Sequence, residues 1–255
     1  MSSPDDAEDL RPISIAEGVV TRPAGAWSAT VHDFLRHLRG QGLDCVPEPV
    51  GIEGDVERLV FIEGDSGGDA WQHQHSEAGL RSAARLLRLV HDASVGWQPP
   101  ADAIFRVADV EADAESVWCH GDVGPWNMVW RGDEAVALID WDFLHRGPRL
   151  DDVAYGLQWF TPARDDDNAL EWHHFPAVPD RARRVSVFLD AYGDGLPPFD
   201  VAETIAARME VTMAQELALA EAGVEPQRTW VAEGSQEWAA GEVRWVREHA
   251  RLLAP

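Results

Sequence analysis

The 255-residue chain contains no lysine, so every side chain that is cationic whatever the pH near neutrality is an arginine. There are 21 of these against 45 aspartates and glutamates, a formal charge of −24. A surface so acidic repels nucleic-acid phosphates and anionic membranes. It either draws in a cationic substrate or simply keeps the surface solvated. Cysteine is scarce too. Cys45 and Cys119 are too few for a disulfide framework, so a reduced, cytoplasmic setting is the expectation. No apolar run approaches the ~20 residues of a membrane span. Met1 to Leu10 is acidic and lacks the basic-then-apolar order of a signal peptide. What is present, with 45% hydrophobic residues, suffices for one large domain or two unequal lobes.

Residues 1–12 read as a loose acidic tail. Gly18 to Arg22 is a short strand stopped by Pro23 and Gly25. Ser28 caps a helix running to about Arg39, and Val56 to Ile62 is a second strand. Glu63-Gly64-Asp65-Ser66-Gly67-Gly68 then breaks regularity. That break divides the chain into a reduced amino-terminal lobe, 1–65, and a helical carboxy-terminal lobe, 66–255. Leu80, Ala83, Ala84, Leu87 and Val90 recur at helical spacing after Ser76-Glu77. Ser116 to Cys119 is a short strand. Residues 127–130 and 135–139 make a hairpin, and helices follow over about 150–160, 179–192, 198–222 and 227–252. The order predicts an α+β protein with a small sheet lobe and a larger helical lobe.

The chemistry concentrates in His120-Gly121-Asp122-Val123-Gly124-Pro125-Trp126-Asn127, followed by Ile139-Asp140-Trp141-Asp142. The spacing is H-x-D-x-x-x-x-N, then an aspartate at the end of the next strand. Phosphoryl transfer needs a carboxylate to accept or orient the proton of the attacking hydroxyl, and oxygen ligands to hold Mg²⁺ against nucleotide phosphates. A loop leaving a strand can present Asp122, while Asn127 and Asp140 at the two ends of a hairpin can reach one metal.

This stretch resembles the catalytic loop and metal aspartate of aminoglycoside phosphotransferases and choline kinases, which share a protein-kinase-like fold. Gly147-Pro148-Arg149-Leu150-Asp151-Asp152-Val153-Ala154-Tyr155 and Leu89-Val90-His91-Asp92 are also similar to family segments. Within the family the chain is most similar to phosphotransferase-like and trifolitoxin-immunity-like members. The resemblance implies Asp122 as catalytic carboxylate, His120 as a brace behind the loop, and Asn127 and Asp140 as metal ligands. Asp142 would bind metal through water or cap a turn. It also implies Mg²⁺, ATP or GTP and a small-molecule acceptor, while the acidic charge speaks against nucleic acid or membrane as partner.

The family's phosphate-binding lysine has no counterpart here. Arg22 stands about where it would be, with only His32 or Asp33 on the following helix as a partner. A nucleotide would lean on Arg22 and stack near the linker, at Phe61 and Glu63. Phosphate affinity should then be weak, and a non-catalytic binding or immunity-type protein on the same fold is the alternative. Trp126 and Trp159, with Asp142, are candidate substrate contacts, and Trp141 is a further stacking candidate. Trp118, Trp130, Trp238 and Trp245 read as packing. Asp142, Asp151 and Asp165 to Asp167 should give the cleft a negative potential. The protease-like Gly64-Asp65-Ser66-Gly67-Gly68 reads as a hinge. His73, His75, His173 and His174 read as solvated loop residues rather than a metal site.

Overall fold

The computed structural model describes residues 13–110, 112–113 and 115–255; the acidic tail over 1–12 lies outside them. Strands β1 (Ser14–Ala16), β2 (Val19–Pro23), β3 (Pro49–Glu53) and β4 (Val56–Val60) form an antiparallel sheet in the order β1-β2-β4-β3. The expected sheet began at Gly18, but a further strand precedes it. Glu17 and Gly18 both take positive φ, 53° and 75°. That pair of left-handed residues closes a tight two-residue hairpin whose twist suits the flanking strands. β3 also went unforeseen, because Pro49-Val50-Gly51 carries little strand signal.

Helix α1 (Ser28–Gly40) buries Val31, Phe34, Leu35 and Leu38. Phe34 meets the edges of Trp97 at 4.9 Å and Trp141 at 5.3 Å, which ties the sheet unit to the rest of the chain. The chain leaves the sheet through Gly64. A Cβ there would lie 2.6 Å from the Trp130 carbonyl oxygen, so the approach admits only glycine. Asp65 then exchanges both backbone hydrogen bonds with Trp130, at 2.9 and 2.8 Å. The expected solvated loop is instead a 3-10 helical segment, Gly67–His75, with Ala70, Trp71 and Gln74 buried. His73 bonds Asp65 at 2.8 Å and stacks on Trp130. His173 is fully buried as well, whereas His174 is exposed.

The remainder is mostly helical. Helix α2 (Glu77–Ser94) is capped by the Ser76 hydroxyl and buries the apolar stripe read from its spacing. Strand β5 (Val117–Cys119) pairs with β8 (His145–Gly147), and β6 (Met128–Arg131) with β7 (Glu134–Leu138). Then come α3 (Arg149–Phe160), α4 (Asp166–Glu171), α5 (Arg181–Tyr192), α6 (Val201–Glu221), α7 (Gln227–Ala232) and α8 (Ser235–Glu248). The single helix expected over 227–252 is broken at Gly234, whose φ of 93° no helix accommodates. Among the described residues no helix is long and apolar enough to cross a membrane.

Two aspartates opening α3 hold the loop after β5 from behind. Asp152 is fully buried and accepts from the backbone N–H of His120 (2.6 Å) and Gly121 (2.8 Å) and from His91 Nε2 (3.0 Å). Asp151 accepts from Arg208 Nε at 2.9 Å and His145 Nε2 at 3.1 Å, and Arg208 Nη2 donates to the Gly121 carbonyl. Burial alone would raise the Asp152 carboxyl. The His91 hydrogen bond and charge, with the nearby His120 and His145, win and hold it well below the usual carboxylate range. A depressed carboxyl stabilises the fold above its unfolded pKa of about 4 and loses that contribution as the pH falls. Asp152→Ala should therefore cost about 3–5 kcal/mol in urea unfolding at neutral pH, because three buried donors lose their acceptor. The gap to the native chain should narrow below about pH 4; a loss under about 1 kcal/mol at neutral pH would contradict this role.

Candidate active site

Arg22 on β2 lies directly opposite Glu57 on β4. Its Nε donates to Glu57 Oε1 at 2.7 Å, its Nη1 to Asp140 Oδ1 at 2.7 Å and its Nη2 to Asp142 Oδ1 at 2.9 Å. One guanidinium thus gathers three carboxylates. Burial opposes its charge, but the three acids hold it protonated more firmly than a free arginine. Glu57 had no place among the expected partners. The hydrogen-bond register across β2 and β4 supplies it, and no sequence period reports that register. His32 reaches the same acid from α1, Nε2 to Glu57 Oε2 at 3.0 Å, while Asp33 accepts from Trp97 Nε1 instead.

Asp142 is 5% exposed and is bound by Arg106 as well, at 3.3 Å. Arg106 lies against the faces of Trp27 and Phe143 and donates to Gln227. Asp142 therefore belongs to a buried ion-pair cluster and is not among the residues that line the cleft. Asp140 differs. Its side chain is 41% exposed, and its backbone is in the left-handed region at φ 60°. A non-glycine residue there costs about 1–3 kcal/mol and persists only where neighbours impose it.

The backbone of Ile139 laces the site together. Its N–H donates to the Asn127 carbonyl at 2.8 Å, and its carbonyl pairs with His120 Nε2 at 2.8 Å. His120 is fully buried, with its ring edge on Trp141 at 4.6 Å. Asn127 Nδ2 donates to Asp122 twice, to Oδ2 at 2.8 Å and to the carbonyl at 2.9 Å. The other Asp122 oxygen, Oδ1, accepts from the Tyr155 hydroxyl at 2.5 Å. Burial pushes the Asp122 carboxyl up, and these hydrogen bonds only partly oppose it. Tyr155, one turn along α3 from the two bracing aspartates, is a site residue that the sequence motif did not single out.

Arg22, Phe61, Asp122, Trp126, Asn127, Asp140 and Trp159 all line one cleft of about 670 Å³. Glu63 is exposed and does not line it; its carbonyl accepts from Arg131. The acids expected to charge the cleft are elsewhere. Asp151 is buried on Arg208, and Asp165 caps α4 by accepting from the Asn168 N–H. Glu216, Glu225 and Glu233 line the cleft in their place, and Trp238, expected as packing, lines it too.

The phosphotransferase enzyme family model matches residues 97–195, which hold the catalytic-type loop, the hairpin and α3. The trifolitoxin immunity protein of Rhizobium leguminosarum bv. trifolii is 30% identical over 246 residues, covering 92% of this chain and 91% of that one. Solved structures share the fold at low identity. A choline/ethanolamine kinase family protein from Mesorhizobium loti superposes with a TM-score of 0.59 at 15% identity, over 93% of this chain and 90% of that one. A microcompartment-associated aminopropanol kinase gives 0.58 at 12%, over 98% and 96%. A spectinomycin phosphotransferase, solved with ADP and spectinomycin, gives 0.55 at 11%, over 95% and 88%. With the loop, the hairpin and the sheet in this arrangement, the chain belongs to the phosphotransferase enzyme family and has the protein-kinase-like fold of aminoglycoside phosphotransferases and choline/ethanolamine kinases.

Proposed function

We propose that the protein transfers the terminal phosphate of ATP or GTP to a hydroxyl of a small molecule, with Mg²⁺. The observation that carries this is the setting of Asp122. Its carboxylate is oriented by Tyr155 on one oxygen and Asn127 on the other, on the wall of a cleft that also contains Asp140. Burial raises its proton affinity, which suits a group that must take a proton from an acceptor hydroxyl as the phosphorus–oxygen bond forms.

The residues present fit a hard cation. Asn127 turns its amide nitrogen to Asp122, which leaves its oxygen as the ligand end, and Asp140 supplies a solvent-reached carboxylate. Bound there, Mg²⁺ would neutralise charge on the nucleotide phosphates. Arg22 adds the only other cation that the resemblance places near those phosphates. Phe61 and Ile62 offer apolar surface to a base under β1 and β2, where Ile15 and Val20 also line the cleft.

A second reading has its own support. Arg22 Nη1 occupies Asp140 Oδ1, the carboxylate that would carry the metal, and the curated relative is named an immunity protein. A non-catalytic protein that binds its ligand in this cleft fits both facts.

Calorimetric titration of nucleotide with and without Mg²⁺ separates the readings. Affinity that requires Mg²⁺ and falls in Asp140→Asn is expected for the transferase; no nucleotide binding under either condition supports the second reading. Asp122→Asn should lower turnover about 10²–10⁴-fold. It should leave the melting temperature equal or higher, because it removes a carboxylate whose charged form burial disfavours. Equal turnover in that variant would remove Asp122 from the chemistry.

A further inference from the structure

Two of the three acids on Arg22 do not reach the cleft. The side chains of Glu57 and Asp142 are 2% and 5% exposed and do not line it, whereas Asp140 is 41% exposed and does. The guanidinium gives one nitrogen to each: Nε to Glu57, Nη1 to Asp140 and Nη2 to Asp142. Asp140 therefore meets Arg22 through one nitrogen and one oxygen, not through the two-pronged contact of an exclusive arginine–carboxylate pair.

Glu57 is what keeps the fork divided. It stands opposite Arg22 in the register of β2 and β4, so the two side chains leave the sheet on the same face. Its Oε1 accepts from Arg22 at 2.7 Å, and its Oε2 pairs with His32 Nε2 from α1 at 3.0 Å. The carboxylate is thus anchored by a second element and does not depend on Arg22 for its place. Arg58, next along β4, faces the other way and pairs at 2.9 Å with Glu53, whose side chain is 74% exposed.

Salt screens a buried charge far less than an exposed one, so Glu57 acts on the Arg22 cluster as Glu53 cannot. Its charge draws the guanidinium towards the sheet and leaves Asp140 less completely neutralised. With that charge gone, Arg22 serves Asp140 and Asp142 alone, and a divalent cation meets a weaker carboxylate.

We infer that Glu57 is a positioning residue for the cation site: through Arg22 it sets how much negative charge Asp140 offers to a divalent cation. Glu57 acts through the guanidinium, since it does not itself line the cleft. This rests on the reading of Asn127 and Asp140 as cation ligands, and it concerns binding and not transfer.

The test is titration of the full chain with Mn²⁺, followed by electron paramagnetic resonance, with the site defined as the one that Asp140→Asn removes. Glu57→Gln keeps the shape of the side chain and deletes its charge. It should weaken that site about tenfold or more, as expected for a residue that orients a metal ligand. Glu53→Gln should leave the site unchanged. ADP without metal should bind Glu57→Gln at least as tightly as the native chain, because its phosphates then meet less negative charge. A loss of structure would weaken Mn²⁺ and ADP together, and that result overturns the proposal. Unchanged Mn²⁺ affinity in Glu57→Gln overturns it too, as does an equal loss in Glu53→Gln. Should Glu57→Gln fail to fold by circular dichroism, Asp142→Asn deletes the other buried acid of the fork and must show the same two signs. A native chain with no Mn²⁺ site that depends on Asp140 overturns both the proposal and the reading of the metal ligands. A chain that shows the expected Mn²⁺ pattern yet binds no nucleotide, or transfers no phosphate, defeats the transferase reading alone.

Discussion

Three carboxylates converge on the Arg22 guanidinium, and the geometry of the cleft follows from that requirement. Glu57 and Asp142 are both almost completely buried, and neither charge would be tolerated there without a fixed counter-ion. Glu57 comes from the sheet, Asp140 and Asp142 from the segment after β7. Arg22 therefore joins the sheet unit to the catalytic-type segment by charge, while Phe34 against Trp141 joins them by packing. A planar fork with five donors can serve three acids at once, and a lysine ammonium on a flexible stem is a poorer match to that arrangement. The chain without lysine is thus not a chain with a lysine-shaped gap at this position.

Environment, not residue type, separates the aspartates around the loop. Asp152 behind it accepts from two backbone N–H groups and a histidine, and its proton affinity falls. Asp122 in front has one neutral phenol and one amide, and its proton affinity rises. The first stays an anion and fixes the backbone of His120 and Gly121; the second holds a proton more readily, as the transfer proposed above requires. Two carboxyls within a short span of structure acquire opposite tasks through the number and charge of their donors.

Much of this was legible from residue order. The stripe at Leu80, Ala83, Ala84, Leu87 and Val90 located α2 because a helix repeats its buried face every 3.6 residues. The hairpin from Met128 to Leu138 followed from two short apolar runs around Arg131-Gly132-Asp133-Glu134. The H-x-D-x-x-x-x-N spacing marked Asp122 and Asn127, which line one cleft, and His120, which is buried behind it. What stayed hidden depends on pairing across space. Glu57 meets Arg22 through strand register, and Tyr155 meets Asp122 through the direction in which α3 leaves β8. Asp142 looked like a site residue by proximity in sequence, but Arg106, 36 residues earlier, is what buries it in an ion pair. Trp238 looked like packing because a tryptophan on a helix more often packs than binds, and the sequence did not show the break at Gly234. That break presents α8 from a new angle, with Trp238 on the cleft.

The Arg22 cluster also sets which covalent reagents can mark this site. Acylating nucleotide analogues that label kinases need an amine that loses its proton readily enough to attack. A guanidinium held by Glu57, Asp140 and Asp142 stays protonated and is no nucleophile. With no lysine anywhere in the sequence, such reagents would pass over the cleft even if nucleotide filled it, and profiling built on them would count this protein as absent from its own fold.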